Sequence, residues 1–160
     1  MTLLSWFRSK TPALSEAAPQ DAAALANLHG ASFRRGWSED EFERLLLERN
    51  VVTHRAMIGH RLVGFVVSRL APPEAEILSI AVAASQRGRG LARALLDLHL
   101  RRLVGLGTRT VFLEVDESNT PARRLYRRMG FGDAARREGY YQQGNAPAAA
   151  ALVLRRDLAV

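Results

Sequence analysis

Along the first fifty residues the apolar positions follow a helical period. In PQDAAALANLHGASF, Ala24, Leu25, Leu28 and Ala31 recur at helix spacing, and Pro19 with Asp21 opens the segment. In GWSEDEFERLLLERN, Phe42, Leu45 and Leu46 supply an apolar face. Ser38 followed by Glu41 forms a capping box at the start of this second helix. From Val51 the pattern turns β-like. VVTHRAMI and LVGFVVSRL flank GHR, a hairpin signal, APPE marks a turn, and AEILSIAV predicts a third, largely buried strand. A glycine-bearing stretch then enters a helix from Leu91 to about Leu106, ended by Gly105 and Gly107. TVFLEV predicts a strand, NTPARRLYRRMG a short helix ended by Gly130, and FGD the start of a further strand. AAALVLRRDL is expected as a last strand at the sheet edge. Two helices, a three-strand meander and then alternating helix and strand define an α/β protein with a mixed sheet.

A length of 160 residues suits one domain with a self-sufficient core. Residues 1–18 are expected to be a frayed tail, leaving a single domain over 19–160. The apolar patch near the start is too short for a membrane span and lacks the preceding charge of a secretory signal. The chain has no cysteine, so disulfides and thiolate metal sites are excluded, and a reducing cytoplasm is the expected home.

The net charge of +7 points to an anionic partner, either a phosphorylated cofactor or nucleic acid. Lys10 is the only lysine, however, and an arginine skew of this kind also fits simple compositional bias. His29, His54, His60 and His99 form no i,i+4 pair, so no metal is expected. Ser85 and Ser118 lack a nucleophile-elbow setting, which removes a hydrolase reading. ARRLYRRMG could stack Tyr126 on a base, giving a basic RNA-binding module. Its apolar spacing through Leu125 and Met129 instead favours a packed helix with solvated arginines, and nucleic acid is not an expected partner.

Between the third strand and the helix lies Arg87-Gly88-Arg89-Gly90-Leu91-Ala92. Glycines let main-chain N–H groups converge, and a helix start adds about half a positive charge, so the segment suits a pyrophosphate. A plain strand-to-helix turn is the alternative, for which one glycine would suffice. The Gly-Lys-Ser/Thr ending of a P-loop is absent, and the three-glycine dinucleotide fingerprint does not fit.

Arg/Gln-x-x-Gly-x-Gly/Ala after a strand ending IAV resembles the acetyl-coenzyme A loop of the GNAT acetyltransferase superfamily. Flanking segments are similar to one branch, the RimI-type ribosomal-protein alanine N-acetyltransferases. Trp37-Ser38 resembles that branch's Pro-Trp-Ser, with Gly36 in place of proline. ILSIAV resembles its cofactor strand, FLEV its fifth strand, SNTPARRLYRRMGF its Asn-to-Tyr segment, and RREGYY its paired tyrosines. The likeness covers roughly residues 20 to 157. One departure is QQGNAPAAAALVL, where the branch usually carries acidic residues before the last strand. This leaves the acceptor open while leaving the chemistry in place.

The resemblance implies a central, mixed, mostly antiparallel sheet with helices on both faces. It implies acetyl-CoA as co-substrate, its pantetheine arm against the exposed backbone of Ile80, Ala81 and Val82. Asn119 would contact the cofactor, or simply cap the short helix. Glu114 becomes the general base and Tyr126 the general acid. Trp37, Tyr140 and Tyr141 become candidates for the acceptor site. The implied acceptor is the N-terminal alanine amine of a small-subunit ribosomal protein; other N-termini, lysines or a small amine are the alternative.

An ordinary glutamate, near pKa 4.3, lies far below an α-amine at 7.7–8.0, a mismatch costing roughly 5 kcal/mol for direct transfer. Apolar neighbours are therefore expected to raise the pKa of Glu114, with a relaying water as an aid. A strand-end surface charge is the plain alternative for this residue. Tyr126 either meets the departing sulfur, with Arg123 lowering its pKa by proximity, or packs helix against sheet.

Overall fold

The computed structural model describes residues 11–138 and 150–158. Strands β1 (Ala13–Glu16), β2 (Val51–Ile58), β3 (Arg61–Ala71), β4 (Glu74–Val82), β5 (Thr110–Asp116), β6 (Gly132–Arg137) and β7 (Ala151–Asp157) form one sheet in the order β1-β2-β3-β4-β5-β7-β6. Every adjacent pair is antiparallel except β4 and β5. Helices α1 (Ala22–Ser32) and α2 (Glu39–Leu47) precede β2, α3 (Leu91–Gly105) joins β4 to β5, and α4 (Thr120–Arg128) follows β5. Alternation along β3 sends Phe65 and Val67 to a core shared with Leu25 and Phe42. Val66 faces the other core, with Leu95, Leu96 and Leu103 of α3. The helices thus cover opposite faces, as expected of a mixed, mostly antiparallel sheet.

Local signals hold where the sequence was explicit. Ser38 Oγ accepts from Glu41 N at 3.2 Å, while Glu41 Oε2 accepts from Ser38 N at 2.7 Å, completing the capping box. Asp21, just ahead of α1, accepts from Ala18 N at 2.8 Å and pairs with Arg55 of β2 at 2.5 Å.

Two expectations are corrected. Ala13–Glu16 is not tail but strand, paired with β2 from Ala13↔Met57 to Glu16↔His54. This short, mostly exposed segment has too little alternation to announce itself; what orders it is the open hydrogen-bonding edge of β2. The last strand is not at the edge either. It inserts between β5 and β6 and buries Leu152 and Leu154, whereas β6, exposed throughout and carrying Arg136 and Arg137, takes the edge. Among the described residues no helix is long and apolar enough to cross a membrane.

Candidate active site

The site begins with an irregularity in β4. Ser68 pairs with Ile77 and Val67 with Ser79, so Leu78 has no partner on β3 and forms a bulge. Facing changes across it: Ile77 packs in the α3 core, but Ala81, four residues on, packs in the α1 core. At the same point the parallel ladder with β5 stops, its last register pair being Ile77↔Leu113. Both strands continue, to Val82 and Asp116, but apart. Main-chain groups of β4 beyond the bulge therefore face β5 without a ladder to fill.

Between the parted strands lies a cleft of about 580 Å³ that takes in Ile80, Ala81, Val82, Ala92, Asn119 and Tyr126. A second hollow, of about 260 Å³, holds Trp37, Arg69 and Glu76. Ile77, Leu78 and Glu114 line both. Glu114 therefore stands where the two spaces meet.

At the start of α3, Gly88 and Gly90 have φ of 74° and 78°, left-handed values that disfavour any side chain. Gly90 is the helix N-cap and contributes no side-chain cap, which leaves first-turn N–H groups for another acceptor. Leu91 is buried in the core, so only its main chain can serve a ligand. Arg87 folds back, Nε donating to Val82 O at 3.1 Å. Arg89, Gly90 and Leu91 border a separate hollow of about 360 Å³. Of the six loop positions, Ala92 alone lines the main cleft.

The fit to an elongated thioester cofactor can be judged from the cleft itself. Ser79 lines it with a buried Oγ that has no hydrogen-bond partner. That orphan, the unladdered β4 backbone and the uncapped helix start offer polar contacts along an acyl-coenzyme A. The residues fit the group.

The two catalytic candidates sit differently from expectation. Glu114 lacks apolar enclosure: its carboxylate side chain is 43% exposed and pairs with Arg137 Nη1 at 3.0 Å. On a strand whose outer positions face open space, Glu114 and Asp116 project on the uncovered side, which is why burial is missing. Tyr126 is buried at 6% exposure, its ring edge-on to Phe131 at 5.9 Å, and burial pushes its pKa up to about 12. Arg123 does not lower it, because Nη1 is turned to Glu117 O at 2.9 Å. A tyrosine so buried is also unavailable to stack on RNA. Asn119 has both anticipated places: it lines the cleft, and its Oδ1 accepts from Ala122 N at 3.3 Å as the α4 cap. Tyr140 and Tyr141 lie outside the described residues.

Sequence reasoning passed over Ser79, a hydroxyl inside an otherwise apolar strand, which was a legible signal. It also passed over Phe33 and Arg34, which line the cleft from the α1–α2 corner, and over His29, weighed only as a metal ligand. The Arg137 partner of Glu114 left no local trace.

A strand pair opened by a bulge, with a glycine turn at the following helix, defines an acyl-coenzyme A-dependent transferase cleft. The chain belongs to the acetyltransferase (GNAT) family, whose model matches residues 22–131. It is an N-acetyltransferase of that family. It is similar to the [ribosomal protein bS18]-alanine N-acetyltransferase of Escherichia coli (strain K12), 34% identical over 105 residues, covering 66% of this chain and 70% of the relative. The crystal structure of the ribosomal-protein-S18-alanine N-acetyltransferase from Escherichia coli superposes with a TM-score of 0.85 at 25% identity, covering 93% of this chain and 95% of that one. The mycothiol acetyltransferase of Thermomonospora curvata is 43% identical over 72 residues, covering 44% of this chain and 24% of the relative.

Proposed function

We propose that the chain moves an acetyl group from acetyl-CoA to the N-terminal alanine amine of a small-subunit ribosomal protein, a target that places the work in the cytoplasm. The observation that carries this reading is Glu114 at the meeting of the cofactor cleft and the Trp37 hollow. An amine entering from the Trp37 side reaches the carboxylate next to the cleft where a thioester would lie.

When bound, acetyl-CoA supplies the acetyl group and a thiolate leaving group. Main-chain groups of Ile80, Ala81 and Val82 hold the arm, and those of Gly88, Gly90 and Leu91 at the α3 start hold the phosphates. Arg87 braces the end of β4 through Val82 O, and Arg89 adds positive charge to the turn. Glu114, half open to solvent, accepts the amine proton through a water, and Arg137 keeps the carboxylate aimed along the sheet. Tyr126 donates a hydrogen bond to the developing thiolate. With a phenol near pKa 12 and a thiol near 8.5, complete proton transfer would be uphill by about 5 kcal/mol, so Tyr126 stabilises charge and water ends the transfer. Asn119 holds α4, and with it Tyr126, in register.

The likeness to the mycothiol enzyme supports a second reading, acetylation of a small amine. Incubation of the chain with acetyl-CoA and an N-terminal bS18 peptide, followed by mass spectrometry, separates them. One added acetyl group on the terminal amine is expected, lost in Glu114→Gln. Turnover of a free amine with none on the peptide would reverse the order.

A further inference from the structure

Trp37 and Ser38 send their consecutive main-chain N–H groups to different helices. Trp37 N donates to His29 Nδ1 at 3.0 Å, and Ser38 N donates to Glu41 Oε2 at 2.7 Å. The corner between α1 and α2 is thereby pinned on both sides. The indole lies on the imidazole, with ring centroids 4.4 Å apart and planes 17° from parallel, and Phe42 contacts both rings. Gly36 permits the approach, since a Cβ there would stand 2.9 Å from Gly30 Cα. Trp37 in turn lines the hollow that ends at Glu114.

We propose that His29 is a positioning residue of the acceptor pocket: its neutral imidazole fixes the Trp37 wall beside Glu114, and a proton on Nδ1 releases that wall. The proposal rests on reading the Trp37 hollow as the acceptor site. A main-chain N–H can only donate, so Nδ1 must present a lone pair and Nε2 must carry the ring hydrogen. His29 is buried at 3% exposure among Phe33 at the end of α1, Trp37, Phe42 of α2 and Phe65 of β3. Burial lowers its pKa below 6.5, opposed by Glu41 of α2, the one charged side chain among the described residues that acts on it. The lone pair is therefore present at neutral pH. As pH falls through the lowered value, the imidazolium loses the Trp37 bond, and the acceptor pocket loses its wall while the glycine turn is untouched.

The test has two arms. The chain has two tryptophans, so Trp6→Phe leaves Trp37 as the single emitter. Its emission should be quenched on acidification with a midpoint below 6.5, and adding His29→Asn should abolish that transition, because Asn accepts the same N–H but cannot gain a proton. In the kinetic arm, His29→Leu should raise the acceptor-peptide KM about tenfold, with acetyl-CoA affinity changed less than about twofold. His29→Asn should keep the neutral-pH KM and lose only the further rise that the unsubstituted protein shows below pH 6.5 on top of the acceptor amine's own protonation. Emission independent of pH, or His29→Leu with an unchanged KM, would overturn the proposal. If His29→Leu does not fold, the emission titration and His29→Asn decide. If the peptide is never acetylated, the acceptor reading fails, and the emission arm alone rules on whether His29 holds Trp37.

Discussion

A phenol whose pKa is pushed up to about 12 stays protonated across the working range of an enzyme, so Tyr126 is a permanent donor at the cleft. Tyr126→Phe should lower kcat about a hundredfold and leave acetyl-CoA affinity unchanged, as measured by single-turnover kinetics and calorimetry. Unaltered turnover would remove Tyr126 from the reaction. No loss of activity from tyrosine ionisation is expected up to about pH 10. Gly90 matters for a different reason. Its φ of 78° carries a penalty for any Cβ, although a Cβ itself would meet nothing within 4 Å. Gly90→Ala should therefore cost about 1 kcal/mol in urea unfolding and weaken acetyl-CoA binding, since relaxing the strain turns the loop amides away. Equal stability and equal affinity would show that the turn has no need of this conformation. Glycine, glutamate and tyrosine were all readable as letters. Their environments were not: the residue that pairs with Glu114 sits on β6, and the burial of Tyr126 needs Phe131 and the sheet behind it.

Among the elements, β1 is the one composition hid. It covers the edge of β2, Ala17 N adds a bond to Thr53 O at 2.9 Å, and Glu16 pairs with Arg102 of α3 at 3.1 Å. A chain beginning at Ala18 should unfold at lower urea than one beginning at Thr11, and should associate more readily through the uncovered β2 edge. Identical midpoints would mean the strand is decorative. Element starts were legible because caps are local chemistry: Ser38, Glu41 and Asn119 satisfy amides within three residues of themselves. The Leu78 bulge was not, since it exists only as a mismatch of register against β3.

Across the whole molecule, β2, β3 and α3 are tied by a buried chain of polar groups. His54 Nδ1 meets His99 Nδ1 at 2.7 Å, and His99 Nε2 meets Ser68 Oγ at 2.6 Å. Burial lowers the pKa of His99 to about 3, with His54 acting in the same direction, and burial lowers His54 as well. The unfolded chain takes up a proton near pH 6.5, whereas the folded one resists until about 3, so stability is full above 6.5 and falls as pH drops towards 3. Urea midpoints should hold level from about pH 7.5 to 6.5 and decline from there to about 4.5, and His99→Gln should flatten that decline by removing the proton uptake of this site. A slope unchanged in the variant would assign the acid sensitivity to carboxylates instead.

By itself the sequence determined the α/β class, most element positions, the two capped helix starts and the glycine turn, because each depends on sterics and periodicity within a few residues. Tertiary structure decided what long-range pairing decides: that the last strand slips between β5 and β6, with Thr110 bonded to Asp157 across 47 residues, and that β4 bulges away from β5. Those two choices open the cleft, bury Tyr126 and leave Glu114 in water at its rim. Chain-separated strands meet only when the core assembles, so no local pattern could have announced them.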